Sequence, residues 1–194
     1  PRVKHMSRLP LTELPQFLLK LQKYEEEGDR RSAITRDAVT FALLTWVRTK
    51  ELRFAVRSEF EDLDGKVPVW RIPAERMKMG REHFVPLSKQ AATIAQRMII
   101  ASTGEFLFPG VAPKKPLSEN TMIYALYRLG YHSRQTVHGF RGLASTWANE
   151  QLVEFGKPAM WIRRYHEDWV EMQLAHSEDN EVRGAYNAAE YLVP

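Results

Sequence analysis

Residues 58–88 break the period of this chain, and that break limits the folds open to it. On either side, apolar residues recur at helical spacing, as in Phe17, Leu18 and Leu21, or Ile34, Val39, Ala42, Leu43 and Trp46. Inside the interval the spacing shortens. Phe60 and Leu63, then Val67, Val69 and Ile72, then Phe84, Val85 and Leu87 predict three short antiparallel strands. Asp64-Gly65 is a tight-turn signal between the first two. Residues 74–82 form the second connection, which carries Arg76, Lys78 and Arg81. So small a sheet must be covered by helices, and the expected class is α+β, mainly α, with helices around a three-stranded antiparallel sheet.

Helices are expected over 33–47, 49–52, 88–100, 118–129, 136–149, 168–174 and 180–190, with one more after Thr12. Thr12, Thr49 and Thr136 are candidate caps, and Ser118 opens the segment 118–121. Residues 151–166 follow no clean period and read as an irregular extension or a hairpin.

A length of 194 residues suits one substantial domain, so 1–194 is expected to be a single unit. With no cysteine in the chain, a disulfide framework and a thiolate zinc site are both excluded. No apolar run approaches the length needed to cross a bilayer, so no membrane partner is expected. A formal net charge of +4 is compatible with a polyanionic partner, but the placement of the basic residues says more.

His138 and Arg141 are three residues apart and can reach one anion from a single helix. Arg48 arrives at the end of a buried helix, and Lys78 sits in a strand connection. His176 and Tyr186 follow late in the chain, with Tyr191 as a competing tyrosine. Cleaving a phosphodiester without metal needs exactly these parts in the plain sense of chemistry: guanidinium groups for the non-bridging oxygens, a nucleophile, and a proton donor for the leaving alkoxide. Taken singly each residue has an ordinary alternative. Arg48 could relax a helix dipole, Lys78 could be a solvated turn, and His138 with Arg141 could be a routine helical pair.

Taken in order, these residues resemble the tyrosine recombinases, or phage integrases, and within them the prophage integrases. The likeness lies in Arg48 with Glu51, Lys78 in the β-connection, His138-Gly139-Phe140-Arg141, then His176 and Tyr186. The stretches Val85-Pro86-Leu87-Ser88 and Leu117-Ser118-Glu119-Asn120-Thr121 are also similar to that branch. The resemblance implies a site-specific recombinase that integrates or excises a prophage or genomic island. Tyr186 is the implied nucleophile, forming a 3′-phosphotyrosyl link to DNA, with Arg48, Lys78, His138, Arg141 and His176 catalytic and Glu51 buttressing Arg48. Arg76 and Arg81 are expected at DNA phosphates. No cofactor and no metal are implied.

The implied partners are double-stranded DNA attachment sites, three further subunits in a tetramer on DNA, and accessory DNA-bending or directionality proteins. The isolated domain is compatible with a monomer. A bacterial or phage-encoded protein of this kind is expected in the cytoplasm, at the nucleoid. Arm-binding and core-binding domains precede the catalytic one in this branch, so the chain is expected to be a fragment without them.

Three rivals remain open on sequence grounds. One is a DNA-binding or regulatory remnant that kept the fold and lost the reaction. Another is a metal-dependent nuclease using His132, His138, His166 and His176, which lack close ligand spacing and a carboxylate pair. The last is a helical protein-interaction domain.

Overall fold

The computed structural model describes residues 6–27, 32–102, 104–112, 114–156 and 158–175. His176, Tyr186, Tyr191 and the expected helix over 180–190 lie outside them.

Helix α2 (Ala33–Thr45) is the axis of the fold. Ser32 caps it, its Oγ accepting from the Thr35 amide at 3.2 Å. Ala38, Val39, Phe41, Ala42 and Thr45 are all buried along it. It touches α1 (Leu14–Gln22), α3 (Thr49–Arg53), α4 (Lys89–Ala101), α5 (Thr121–Arg128) and α6 (Gly139–Glu150). Phe41 joins this helix to the aromatic core outside those helices, with ring centroids 5.7 Å from Trp70 and 5.6 Å from Phe108. An acid also lies in this helix. Asp37 is buried and accepts from Arg97 Nε at 2.9 Å and Nη2 at 2.7 Å.

The change of period produces the expected sheet. Strands β1 (Phe60–Glu61), β2 (Val69–Ile72) and β3 (His83–Pro86) pair antiparallel in the order β1-β2-β3. The register sets Trp70 opposite Val85 and Ile72 opposite His83. Because strand side chains alternate, Trp70, Ile72, His83 and Val85 are buried, and Arg71 is left outside to pair with Glu61 at 3.0 Å. The first connection turns over Asp62–Gly65, where the Gly65 amide donates to the Asp62 carbonyl at 2.8 Å. Ser88 ends the sheet and caps α4, accepting from the Ala91 amide at 3.2 Å.

Two of the three candidate threonine caps differ from expectation. Thr12 lies in a 3-10 turn ahead of α1, whose first residues carry Pro15, and α3 is capped by Glu51 reaching back to the Arg48 amide at 2.7 Å. Thr136 does cap, its Oγ1 accepting from the Gly139 amide at 2.9 Å. Residues 151–166 form a hairpin of β4 (Leu152–Phe155) and β5 (Met160–Arg163), followed by α7 (Glu167–Gln173).

The connection between β2 and β3 is braced from beneath. Glu59 is buried and accepts from Trp70 Nε1 at 2.9 Å, from the Val56 amide at 3.2 Å, and from Arg76. Arg76 also donates to the Glu51 carbonyl. Removing one partner of such a pair leaves a half-buried cation and an indole N–H without an acceptor. Glu59→Ala is therefore expected to lower unfolding free energy by about 3–5 kcal/mol, read from urea denaturation followed by tryptophan fluorescence.

Candidate active site

The end of α2, the start of α3, the second turn of the α6 region and the end of α7 meet at two guanidinium groups. Helix α2 terminates at Trp46 in a left-handed conformation, φ 61°. That geometry is costly for a residue with a side chain. It turns the Trp46 carbonyl toward Arg141, whose Nη1 donates to it. Two residues later Arg48 is extended, φ −73° and ψ 149°, immediately ahead of α3.

Glu51 grips Arg48 twice. Its Oε2 takes the Arg48 amide at 2.7 Å and its Oε1 takes Nη1 at 2.9 Å. The carboxylate is buried, whereas the Arg48 side chain keeps about a quarter of its surface exposed (27%). The arginine is thus fixed at its root and open at its head.

Arg141 is the more deeply placed, with 5% of its surface exposed. Its Nη2 donates to the Leu174 carbonyl, and Arg48 Nη2 donates to the Ala175 carbonyl at 3.1 Å. Consecutive carbonyls at the end of α7 therefore hold both guanidinium groups. Gln173 fastens the same helix to α2, donating to the Thr45 carbonyl at 2.8 Å. Val170 and Leu174 bury against Ala148, with Trp46 and Tyr165 packed on them.

Burial pushes the Arg141 guanidinium down to about 10, and the Arg48 cation pushes the same way; Glu51 and Glu171 oppose both. It remains charged at neutral pH. The cluster gathers two cations around the Glu51 carboxylate, with Glu171 also acting on Arg141, and completes their hydrogen bonding with neutral carbonyls. Such a site favours an anion, and each planar fork suits phosphate oxygens.

The other expected residues are distributed around it. His138 sits exposed at the N-terminal boundary of α6, and the Arg141 amide donates to its carbonyl at 3.1 Å. Lys78 is exposed in a turn closed by the Gly80 amide on the Met77 carbonyl at 3.1 Å, with buried Met77 anchoring it. Among the described residues Lys78 makes no hydrogen bond to the arginine cluster. Arg81 is exposed on the same connection. Arg76, expected at DNA, points inward instead to Glu59 and the Glu51 carbonyl, where it braces the connection. Gly139 admits a close backbone approach, but from the chain's own Ser7, whose carbonyl lies 2.3 Å from where a Cβ would stand. Among the described residues no group of three or more His, Asp or Glu could hold a metal ion.

One site residue was absent from the sequence reading. His83, the first residue of β3, is 8% exposed and lies in the electrostatic field of Glu51, Arg48 and Arg141. Its signal was available, since strand alternation puts His83 on the same face as Val85 and Leu87. Burial above all holds its imidazole down at about 4; Arg48 and Arg141 add to this, while Glu51 and the Gln173 backbone oppose it.

The chain is similar to known proteins over most of its length. The profile of the phage integrase family matches residues 8–192. The integrase of Enterobacteria phage P4 is 39% identical over 208 residues, covering 98% of this chain and 43% of that protein. Prophage integrase IntZ of Escherichia coli strain K12 is 38% identical over 192 residues, covering 98% of this chain and 42% of its own length. The chain thus spans less than half of these curated relatives. Its fold is similar to that of lambda integrase in a crystal structure of the tetramer bound to a Holliday junction, with a TM-score of 0.61 at 17% identity, covering 92% of this chain and 50% of that one.

The low His83 value makes stability depend on acidity. Unfolded, the imidazole takes its proton near 6.5; folded, it declines until about 4. Stability contributed by the neutral ring is complete above 6.5 and is lost as pH falls from there toward 4, by about 3 kcal/mol. Urea midpoints measured across that window should fall less steeply in His83→Phe than in the parent chain.

Proposed function

Because the chain belongs to the phage integrase family, we propose that it is the strand-cleaving and rejoining unit of a site-specific DNA recombinase acting on double-stranded attachment sites. The observation that carries this reading is the Arg48–Arg141 pair, two guanidinium groups held by carbonyls at the end of α7, with Arg48 also gripped by the buried Glu51 carboxylate.

The chemistry follows from the charge. A diester in the pair places its non-bridging oxygens on Arg48 and Arg141, which stabilise the added negative charge of the pentavalent transition state. The Tyr186 hydroxyl gives up its proton to His138 as general base, its oxygen attacks phosphorus, a 3′-phosphotyrosyl bond forms, and the bond to the 5′ oxygen breaks. Lys78, on the exposed turn above the braced connection, supplies the proton to that leaving oxygen. His176 donates a hydrogen bond to a further phosphate oxygen. A 5′ hydroxyl of a partner strand then reverses the step and frees Tyr186. The phosphotyrosyl bond conserves the energy of the broken diester, so neither a nucleotide cofactor nor a metal enters the reaction. Arg81 contributes phosphate contacts beside Lys78.

Exchange of strands requires several active units on one DNA assembly. We read the chain as one quarter of a tetramer such as lambda integrase forms on a Holliday junction, working at the nucleoid in the cytoplasm to integrate or excise a prophage or genomic island.

The test is a nicked suicide duplex bearing an attachment sequence, incubated with the protein in chelator. A covalent protein–DNA band is expected, absent in Tyr186→Phe and formed about 10²–10³-fold more slowly in Arg141→Ala. A band that survives Tyr186→Phe and disappears in Tyr191→Phe would reassign the nucleophile. Absence of any band from the parent protein on its attachment site would overturn the reading.

A further inference from the structure

His83 stands outside the set of residues assigned so far, yet it belongs to the same cluster. It enters from β3, whereas Arg48 and Glu51 enter from the start of α3 and Arg141 from α6. The ring is buried, and among the described residues its Nε2 has no hydrogen-bond partner. Only one other buried side-chain polar atom there, Tyr131 Oη, is in that position. Orphaned polar groups in a protein interior are rare and costly, and those that persist at a charged cluster call for a partner that arrives later.

We propose that His83 is a further phosphate-site residue, whose protonated Nε2 donates its missing hydrogen bond to an anionic phosphate oxygen when a phosphodiester enters the Arg48–Arg141 pair. This rests on the recombinase reading for the identity of the diester, but not for the anion contact itself. The groups facing the ring are Glu51 and Arg48 from the start of α3, Arg141 from α6 and the Gln173 backbone from α7. With the site free, burial above all discourages a proton on the imidazole, and the two cations add to it. An entering phosphate offsets those cations, so the ring becomes a better donor at the moment the anion needs one. The position on β3 also has a mechanical consequence. The strand is continuous with the turn that carries Lys78, so a phosphate held by His83 is registered against the proton donor as well as against the arginines.

An apolar ring of similar size separates this role from packing. His83→Phe removes the orphaned nitrogen, so it should fold with a melting temperature no lower than the parent. It should nevertheless cleave the suicide duplex about a hundredfold more slowly. His83→Gln, which keeps a donor near the Nε2 position, should recover most of that loss. Independently, inorganic phosphate titrated into protein carrying isotope-labelled histidine should move the ring resonance that is missing from His83→Phe. If that resonance stays still under phosphate, or if His83→Phe cleaves at the parental rate, the proposal is wrong. If phosphate moves the resonance but the parent protein forms no adduct, His83 remains an anion contact and the recombinase reading falls.

Discussion

The buried guanidinium of Arg141 is the interaction on which the rest of this structure depends. An isolated cation in an apolar interior is prohibitively costly, and this one lacks a carboxylate of its own among the bonds that hold it. It survives because carbonyls from two separate elements, Trp46 at the end of α2 and Leu174 at the end of α7, are aimed at it. That requirement explains otherwise awkward features. Trp46 accepts a left-handed backbone, and Gln173 and Leu174 tie a short helix to the far end of α2. The ends of three helices are brought to one point because one charge has to be solvated there.

The opposite side of the site is held by a second buried ion pair with a different purpose. Glu59 and Arg76 lie beneath the β2–β3 connection, and Arg76 reaches the Glu51 carbonyl while Glu51's carboxylate holds Arg48. The chain of bonds therefore runs from the indole of Trp70 through Glu59, Arg76 and Glu51 to Arg48. Each link fixes the next one's orientation, so the sheet and the arginine pair are built as one unit. Exposed Lys78 and Arg81 project from a connection whose base cannot shift without disturbing Arg48. Preorganisation of this sort is what electrostatic stabilisation of a transition state requires.

Much of this was legible in the residues, and for physical reasons. The sheet declared itself because strand and helix periods differ, and Ser88 declared a helix start because its hydroxyl competes well for a free amide. The bond between Glu51 and Arg48 was foreseen only through the family resemblance, whereas the two arginines stood out as planar cations suited to a phosphate. Arg76 was not, because its direction depends on Glu59, 17 residues away in sequence and brought near only by the sheet. The packing of Gly139 against the Ser7 backbone was equally out of reach, since the two residues lie far apart in sequence. The left-handed turn at Trp46 had no signal at all, as the residue type usual for such geometry is glycine. His83 was hidden in plain alternation: its face could be read, but its charged neighbours came from two helices distant in sequence.

Charge accounting gives these elements a common logic. Arg48 and Arg141 repel each other, and the Glu51 and Glu171 carboxylates oppose that repulsion. Neutral carbonyls complete the hydrogen bonds of the pair without adding charge. A phosphodiester entering there brings its negative charge to a point where two planar cations already converge. The buried acids are apportioned by role: Glu59 and Asp37 sit where pairing serves the fold, while Glu51 faces the arginines and bonds to Arg48.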